Sequence, residues 1–449
     1  MNEALTLAML GILALGIFSG FPVSMVLAGT GFLGFIAAVW MGTTDFGHLG
    51  LIYLRIRGVL TNEGIQFTSV PMLIFLGLLL NSSGISDSFF RLVGTLLRKV
   101  PGRHAIATLI VGLILAPATG VIGASVITVA LVAYDPMLKS GYPPRTAGAA
   151  VAASGALGVI FPPAILLFFV ASHFQLRLGM MYAALVVPVA LMVLLFAAWF
   201  AFSRVGHRQA DHDAETGLSA PELLTSLAAV AVIASIPLSI VGGLATLSEA
   251  AGVGLFGAIV VLGARRLLSV RLLSETMTNA ASMTSMVFFI VIGAMVFSLG
   301  FNLVGGPDVL FRWITEFALG RWDLLVLLLT VVTALGFFFD WMEILLVFLP
   351  ILQPVFDTLQ FSDHVGSPYM ANLWMAALVA LALQTSFLTP PFGYALFFAR
   401  MAAPRQVQLA DIYWGAVPLV LLEILLIALL MAVPELITWL PGLAPSAVN

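Results

Sequence analysis

The chain has 449 residues, of which 61% are hydrophobic and 9% charged, with a formal net charge of -3. A soluble domain carries about 25% charged residues, so the composition excludes a soluble globular protein and points to an all-α polytopic membrane protein. The absence of cysteine excludes a disulfide framework, a thiolate nucleophile and cysteine-ligated zinc. The six histidines show no metal-ligand spacing such as HExxH.

The first stretch, MNEALTLAMLGILALGIF, has no basic segment ahead of its apolar run and no A-x-A site. It reads as a retained first span with the N-terminus outside the cytoplasm. Windows of about 20 apolar residues predict spans near 3–19, 23–41, 66–82, 146–172, 180–203, 222–242, 246–264, 281–302, 370–399 and 411–434. Between Asp87 and Lys99 the pattern is amphipathic and basic, as in a helix lying at the membrane interface. Two further apolar stretches, 104–136 and 323–356, break in the middle, at APATGVIGAS and TALGFFFDW. A broken stretch that returns to its starting side is a re-entrant hairpin, tolerated at membrane depth only when buried in protein or lining a cavity. With both hairpins re-entering, thirteen basic residues fall on one side and five (Arg55, Arg57, Arg177, Arg312 and Arg321) on the other. The richer side is then cytoplasmic and both termini are periplasmic.

The two halves of the chain resemble each other. Ala28-Gly29-Thr30-Gly31 matches Ala251-Gly252-Val253-Gly254, and Thr68-Ser69 matches Thr284-Ser285. Asp87, Phe90 and Arg91 match Asp308, Phe311 and Arg312. Phe161-Pro162-Pro163 matches Thr389-Pro390-Pro391, and Tyr182 and Pro188 match Tyr413 and Pro418. The pairs occur in order at a slowly drifting offset, which divides the chain into repeats 1–210 and 211–449. Five predicted crossings separate the first span from its counterpart at 222–242, and an odd number inverts one half relative to the other. Inverted repeats with a discontinuous helix at the same place in each are the signature of a secondary transporter.

GTGFLG (Gly29–Gly34) and GVGLFG (Gly252–Gly257) match the dinucleotide fingerprint in letters only. They lie in apolar spans, follow no strand and lack an acidic partner about 20 residues on. Close packing of membrane helices accounts for them better. There is no GxxxxGK[ST] for ATP and no histidine beside a buried nucleophile, so no enzyme activity is expected.

Four stretches carry candidate chemistry. The first hairpin tip, Thr119 to Ser125, combines small residues and hydroxyls, which suits either a capped tight turn or a cage of oxygens for sodium, a hard cation. Its expected partner is Ser154-Gly-Ala-Leu-Gly158, ahead of Phe161-Pro162-Pro163. The second tip, Gly336-Phe-Phe-Phe-Asp340-Trp-Met-Glu343, holds two carboxylates in apolar surroundings. At the bilayer centre each would cost about 2.5–3.5 kcal/mol and mark a functional site; at the interface it would mark nothing. Opposite it in the reading lies QTSFLTPPFG, Gln384 to Gly393. Pro390 and Pro391 remove two amide donors and free carbonyls upstream, while the half-helix beyond them turns its positive end toward an anion. A plain proline kink is the alternative. Glu249 and Glu275 read as structural, the first at a helix start and the second in a cytoplasmic connector.

These residues resemble the large membrane subunit of the tripartite ATP-independent periplasmic (TRAP) transporters. The resemblance runs along essentially the whole chain, through Gly20-Phe-Pro-Val-Ser24, Phe67-Thr-Ser-Val-Pro71, Gly120-Val-Ile-Gly-Ala-Ser-Val126, Gly158-Val-Ile-Phe-Pro-Pro163, Leu247-Ser-Glu-Ala-Ala251 and Thr389-Pro-Pro-Phe-Gly393. It implies a sodium-coupled importer of an organic anion in the bacterial inner membrane, working as an elevator. A separate small four-helix membrane subunit and a periplasmic solute-binding protein would be its partners, with no nucleic acid. It implies sodium sites at Gly120, Ser125, Ser154 and Gly158, and at Gly336, Asp340, Thr385 and Thr389. Substrate contacts are implied at Gly123, Pro162 and Pro163, and at Ser386, Pro390, Pro391 and Gly393. Ala124 stands where the family has a further serine, and FFFDWMEI resembles the branch linked to mannitol, chloroaromatic or 2-oxo acid compounds. A single-component sodium–anion symporter of the same superfamily is the alternative; a channel or an intramembrane enzyme using Asp340 is the third reading.

Overall fold

In hydrocarbon, a backbone that is not a closed barrel satisfies its amides and carbonyls only by coiling into helices. The computed structural model describes residues 2–61, 68–115, 117, 122–203, 219–316, 318–390 and 393–443, and no strand occurs among them. In chain order the helices are α1 (Asn2–Phe18), α2 (Val23–Trp40), α3 (Leu49–Thr61), α4 (Ser69–Ser82), α5 (Ile85–Leu96), α6 (Arg103–Leu115), α7 (Ile122–Lys139), α8 (Pro144–Gly158), α9 (Ile165–His173) and α10 (Leu178–Phe202). After them come α11 (Ala220–Val241), α12 (Leu247–Ala264), α13 (Val270–Leu303), α14 (Gly306–Glu316), α15 (Arg321–Leu335), α16 (Trp341–Phe356), α17 (Pro368–Leu388), α18 (Tyr394–Met401), α19 (Leu409–Ala432) and α20 (Glu435–Gly442).

Eight of the described helices are long and apolar enough to cross a bilayer, nine if α4 and α5, bent by 71°, count as one. Each of the ten predicted spans is helical where it is described, and the two predicted to break do so, into α8 with α9 and α17 with α18. The two stretches predicted as hairpins each contain two successive helices, α6 then α7, which pack on each other, and α15 then α16. Three details depart from the sequence reading. Helix α13 starts at Val270 rather than near 281, because hydropathy windows pass over its polar first turns. Glu275 therefore lies on that helix, paired with Arg271 at 2.7 Å one turn earlier, and not in a connector. Helix α3 was not anticipated, being short and carrying Arg55 and Arg57. Glu249 completes a capping box at the start of α12, accepting the Thr246 amide at 2.8 Å.

The chain packs as two compact units, Met1–Thr68 with Ala281–Val332 and Phe339–Phe361, and Ser69–Ala280 with Thr333–Phe338 and Ser362–Asn449. Each draws on both sequence halves, so units and repeats divide the chain differently. In the first unit Met9, Leu13, Leu27, Phe297 and Phe301 form the core. Gly31 of the GTGFLG motif lies directly against the backbone of Phe297, and Gly300 against Gly31. Gly31 is thus a packing device, as the sequence predicts for the motif, while Gly29 beside it faces open space.

The second unit is built around α8. Every residue from Thr146 to Gly158 is buried, and α6, α7, α17, α18 and α19 all pack on this one helix. Small side chains make that crowding feasible, since they let backbones approach closely where water offers no hydrophobic drive. A Cβ on Gly112 would strike the Ser154 backbone, one on Gly155 would strike Val126, and one on Gly415 would strike the Arg145 carbonyl. Overpacking of this kind costs about 1–3 kcal/mol. Gly155→Leu should therefore lower the melting temperature of the purified protein by several degrees or prevent its recovery as a single species. A Gly155→Leu protein melting with the wild type would show that α7 and α8 do not need this approach.

Candidate ion and substrate site at the broken helices

At the first break, α8 ends at Gly158 and α9 begins at Ile165. Pro162 and Pro163, joined by a cis peptide bond, are buried between them. Ser154 is fully buried and donates its hydroxyl hydrogen to the Val151 carbonyl at 2.7 Å. Ser125 is buried in the first turn of α7. Because Gly155 sits against Val126 and Gly112 against Ser154, the turn holding Ser125 and the turn holding Ser154 are neighbours. Gly123 lies beneath the ring of Phe398 from α18, so in this structure it is packed. Gly120 lies outside the described residues.

The second break shows how the freed carbonyls are used. Helix α17 runs to Leu388, with Thr385 and Ser386 inside its last turn and Thr389 as its C-cap. The Thr389 amide reaches the Ser386 carbonyl at 3.2 Å, which leaves the Thr385 carbonyl without its normal helical partner. The Thr389 hydroxyl takes that place at 2.7 Å. One turn back, the Thr385 hydroxyl donates to Leu381 at 2.9 Å and the Ser386 hydroxyl to Leu383 at 2.6 Å. Each hydroxyl has thus spent its one hydrogen on the backbone, and its remaining lone pairs can only accept. Acceptors without a spare hydrogen are what a hard cation prefers.

Beyond Thr389, Pro390 follows and Pro391 lies outside the described residues. Gly393 has a left-handed φ of 43° and is the N-cap of α18, a conformation that costs a residue without a side chain least. Gly336 lies against Ser386, so close that a methyl group on it would overlap the serine side chain. The Tyr394 hydroxyl reaches the Phe338 carbonyl at 3.3 Å and the Thr333 hydroxyl the Ala382 carbonyl at 3.4 Å. The residues 333–338 are therefore fastened to α17 and α18 within the second unit. Asp340 and Glu343 belong to the first unit, at the start of α16. There the Glu343 carboxylate accepts the Asp340 amide at 3.2 Å, and the following residues, Ile344–Phe348, form a π turn, a feature frequent at functional sites.

One acidic residue escaped the sequence reading. Glu423 is fully buried within α19 and accepts the Gln384 side-chain amide at 2.6 Å. The signal was present: Ile412, Ala416, Leu419, Glu423, Leu426 and Leu430 recur at helical spacing and are the buried face of the span. A carboxyl on that stripe, rather than on the lipid side, is a functional candidate by default.

Residues 10–436 match the family described as tripartite ATP-independent periplasmic transporter, DctM component. The chain belongs to that family. It is therefore a permease component of a multipart membrane transporter and not an enzyme. The C4-dicarboxylate TRAP transporter large permease protein DctM of Pseudomonas aeruginosa is 24% identical over 87% of this chain and 89% of its own length. The isethionate TRAP transporter permease protein DctMQ of Oleidesulfovibrio alaskensis is 23% identical over 86% of this chain, which spans 60% of that longer protein. Among solved structures, the YdaH transporter of Alcanivorax borkumensis, reported with an unusual topology, superposes with a TM-score of 0.56 at 16% identity, covering 89% of this chain and 90% of its own. That likeness concerns the fold alone.

The contact between Gly336 and Ser386 makes a paired prediction. Gly336→Ala should destabilise the protein by about 1–3 kcal/mol through overpacking, and Ser386→Gly in the same chain should recover most of the loss. Additive losses in thermal melts of the two single variants and the double variant would deny the contact.

Proposed function

We propose that this chain is the large permease of a sodium-coupled importer of organic anions of the dicarboxylate or 2-oxo acid class. The observation that carries the reading is the break after α17, where three hydroxyl oxygens with no hydrogen left to give surround an interrupted helix in a chain of this transporter family. Sodium would be held at Thr385 and Thr389 with Gly336 and Asp340, and at Ser125, Ser154 and Gly158 with Gly120. The substrate anion would meet Ser386, Pro390, Pro391 and Gly393 at one break, and Gly123, Pro162 and Pro163 at the other. The names of the relatives support the substrate class, since C4-dicarboxylates and isethionate are organic anions.

Inverted repeats 1–210 and 211–449 would let one part of the protein carry the site across the bilayer in an elevator motion, with both termini on the periplasmic side of the inner membrane. A small four-helix membrane subunit and a periplasmic solute-binding protein would complete the transporter. The second reading is a single-component sodium-coupled anion symporter of the same superfamily, which would need neither partner.

Uptake in proteoliposomes separates the two. The three-component reading expects transport only when the binding protein and small subunit are supplied and an inward sodium gradient is applied. Uptake by this chain alone would favour the symporter. Asp340→Asn and Thr389→Val should each raise the sodium concentration for half-maximal uptake by about tenfold, the equivalent of roughly 1.4 kcal/mol. Unchanged sodium activation in either variant would remove that residue from the site.

A further inference from the structure

Glu423 and Gln384 are both fully buried, and each keeps one oxygen without a partner. The Glu423 Oε1 accepts the Gln384 Nε2 hydrogen at 2.6 Å, while Glu423 Oε2 and Gln384 Oε1 accept nothing. Thr385, the next residue along α17, is buried as well and gives its hydroxyl hydrogen to the Leu381 carbonyl. The hydrogen-bonded carboxyl–amide pair thus carries two unpartnered acceptor oxygens into an apolar interior, one residue before Thr385 of the helix break. Buried polar groups are satisfied in the great majority of cases, and a buried carboxylate with no basic partner retains an uncompensated charge. Arginine and lysine are absent from both α17 and α19. A compact cation would neutralise the carboxylate and give both oxygens a partner at once.

We propose that Glu423 Oε2 and Gln384 Oε1, with Thr385, form a binding site for a monovalent hard cation such as sodium, in which Glu423 supplies the countercharge. The site rests on the sodium-coupled reading above and extends it to α19, a helix that contributes to neither break. Glu423 stands on the buried face of α19 just past its midpoint, and Gln384 lies one residue before Thr385. A cation there neutralises the carboxylate and ties α19 to the last turn of α17. Its loss leaves the carboxylate charge uncompensated in the interior. Occupancy therefore tightens or loosens the turn that carries Thr385, Ser386 and Thr389.

The test is thermal melting of the full-length protein in lipid nanodiscs, titrated with sodium chloride against choline chloride at constant ionic strength. Wild type should melt higher as sodium rises, because a ligand that binds only the folded state stabilises it. Glu423→Gln keeps the shape of the side chain and removes its charge. It should melt no lower than wild type without sodium, and it should need at least tenfold more sodium for the half-maximal rise. A sodium midpoint unchanged by Glu423→Gln would overturn the proposal, because the carboxyl would then be carried in its neutral form as a packing group. Gln384→Leu gives the same reading if Glu423→Gln fails to fold: a raised midpoint supports the site and an unchanged one overturns it. A wild type with no sodium response would sink the sodium-coupled reading itself, which keeps the two failures apart.

Discussion

A carbonyl at membrane depth that loses its helical amide must find another donor, because lipid supplies none. The organisation of the second unit follows from meeting that constraint at Thr385–Thr389. The Thr389 amide shifts to the Ser386 carbonyl and the Thr389 hydroxyl fills the vacancy at Thr385, so neither of these two carbonyls is left without a donor. Serine and threonine are suited to this role because one oxygen can give a hydrogen to the backbone and still accept from another direction. The break is stable, and the three hydroxyl oxygens keep lone pairs free to accept. A helix interrupted by proline alone would have the cost and not the ligands.

Such a turn holds its shape only if its surroundings are packed, and small residues do that here. Helix α8 is alanine, glycine and serine over most of its buried length, which lets five helices crowd onto it. Gly336 does the same for Ser386. Close approach brings van der Waals contact in place of the hydrophobic drive that is missing in lipid. The same tolerance makes these positions unforgiving, since one added methyl group has nowhere to go. The glycine motifs that mimic a nucleotide fingerprint belong to this packing scheme, as Gly31 against Phe297 shows.

The buried pair Gln384–Glu423 joins the two themes. It ties α19 to the turn before the break through one strong hydrogen bond, and it leaves acceptor oxygens where the rest of the interior is apolar. Charge in such a place is costly and needs a counterion. A cation bound there, as proposed above, would couple its occupancy to the packing of α17 and α19.

The sequence by itself determined the class, the breaks and the family. Hydropathy depends on residue type alone, so the spans could be read, and adjacent prolines interrupt a helix in any surroundings, so the Pro-Pro breaks could be read as well. The order of the motifs along the whole chain carried the family. What the sequence could not supply was who stands beside whom. Gly336 and Ser386 are fifty residues apart in the chain, and only packing brings them into contact. Glu423 is an acid within an apolar run, and its significance depends on the face of α19 it occupies and on its bond to Gln384. Helical periodicity predicts that a stripe exists; which stripe is buried, and against which polar neighbour, is decided by tertiary contacts between segments that the chain itself holds far apart.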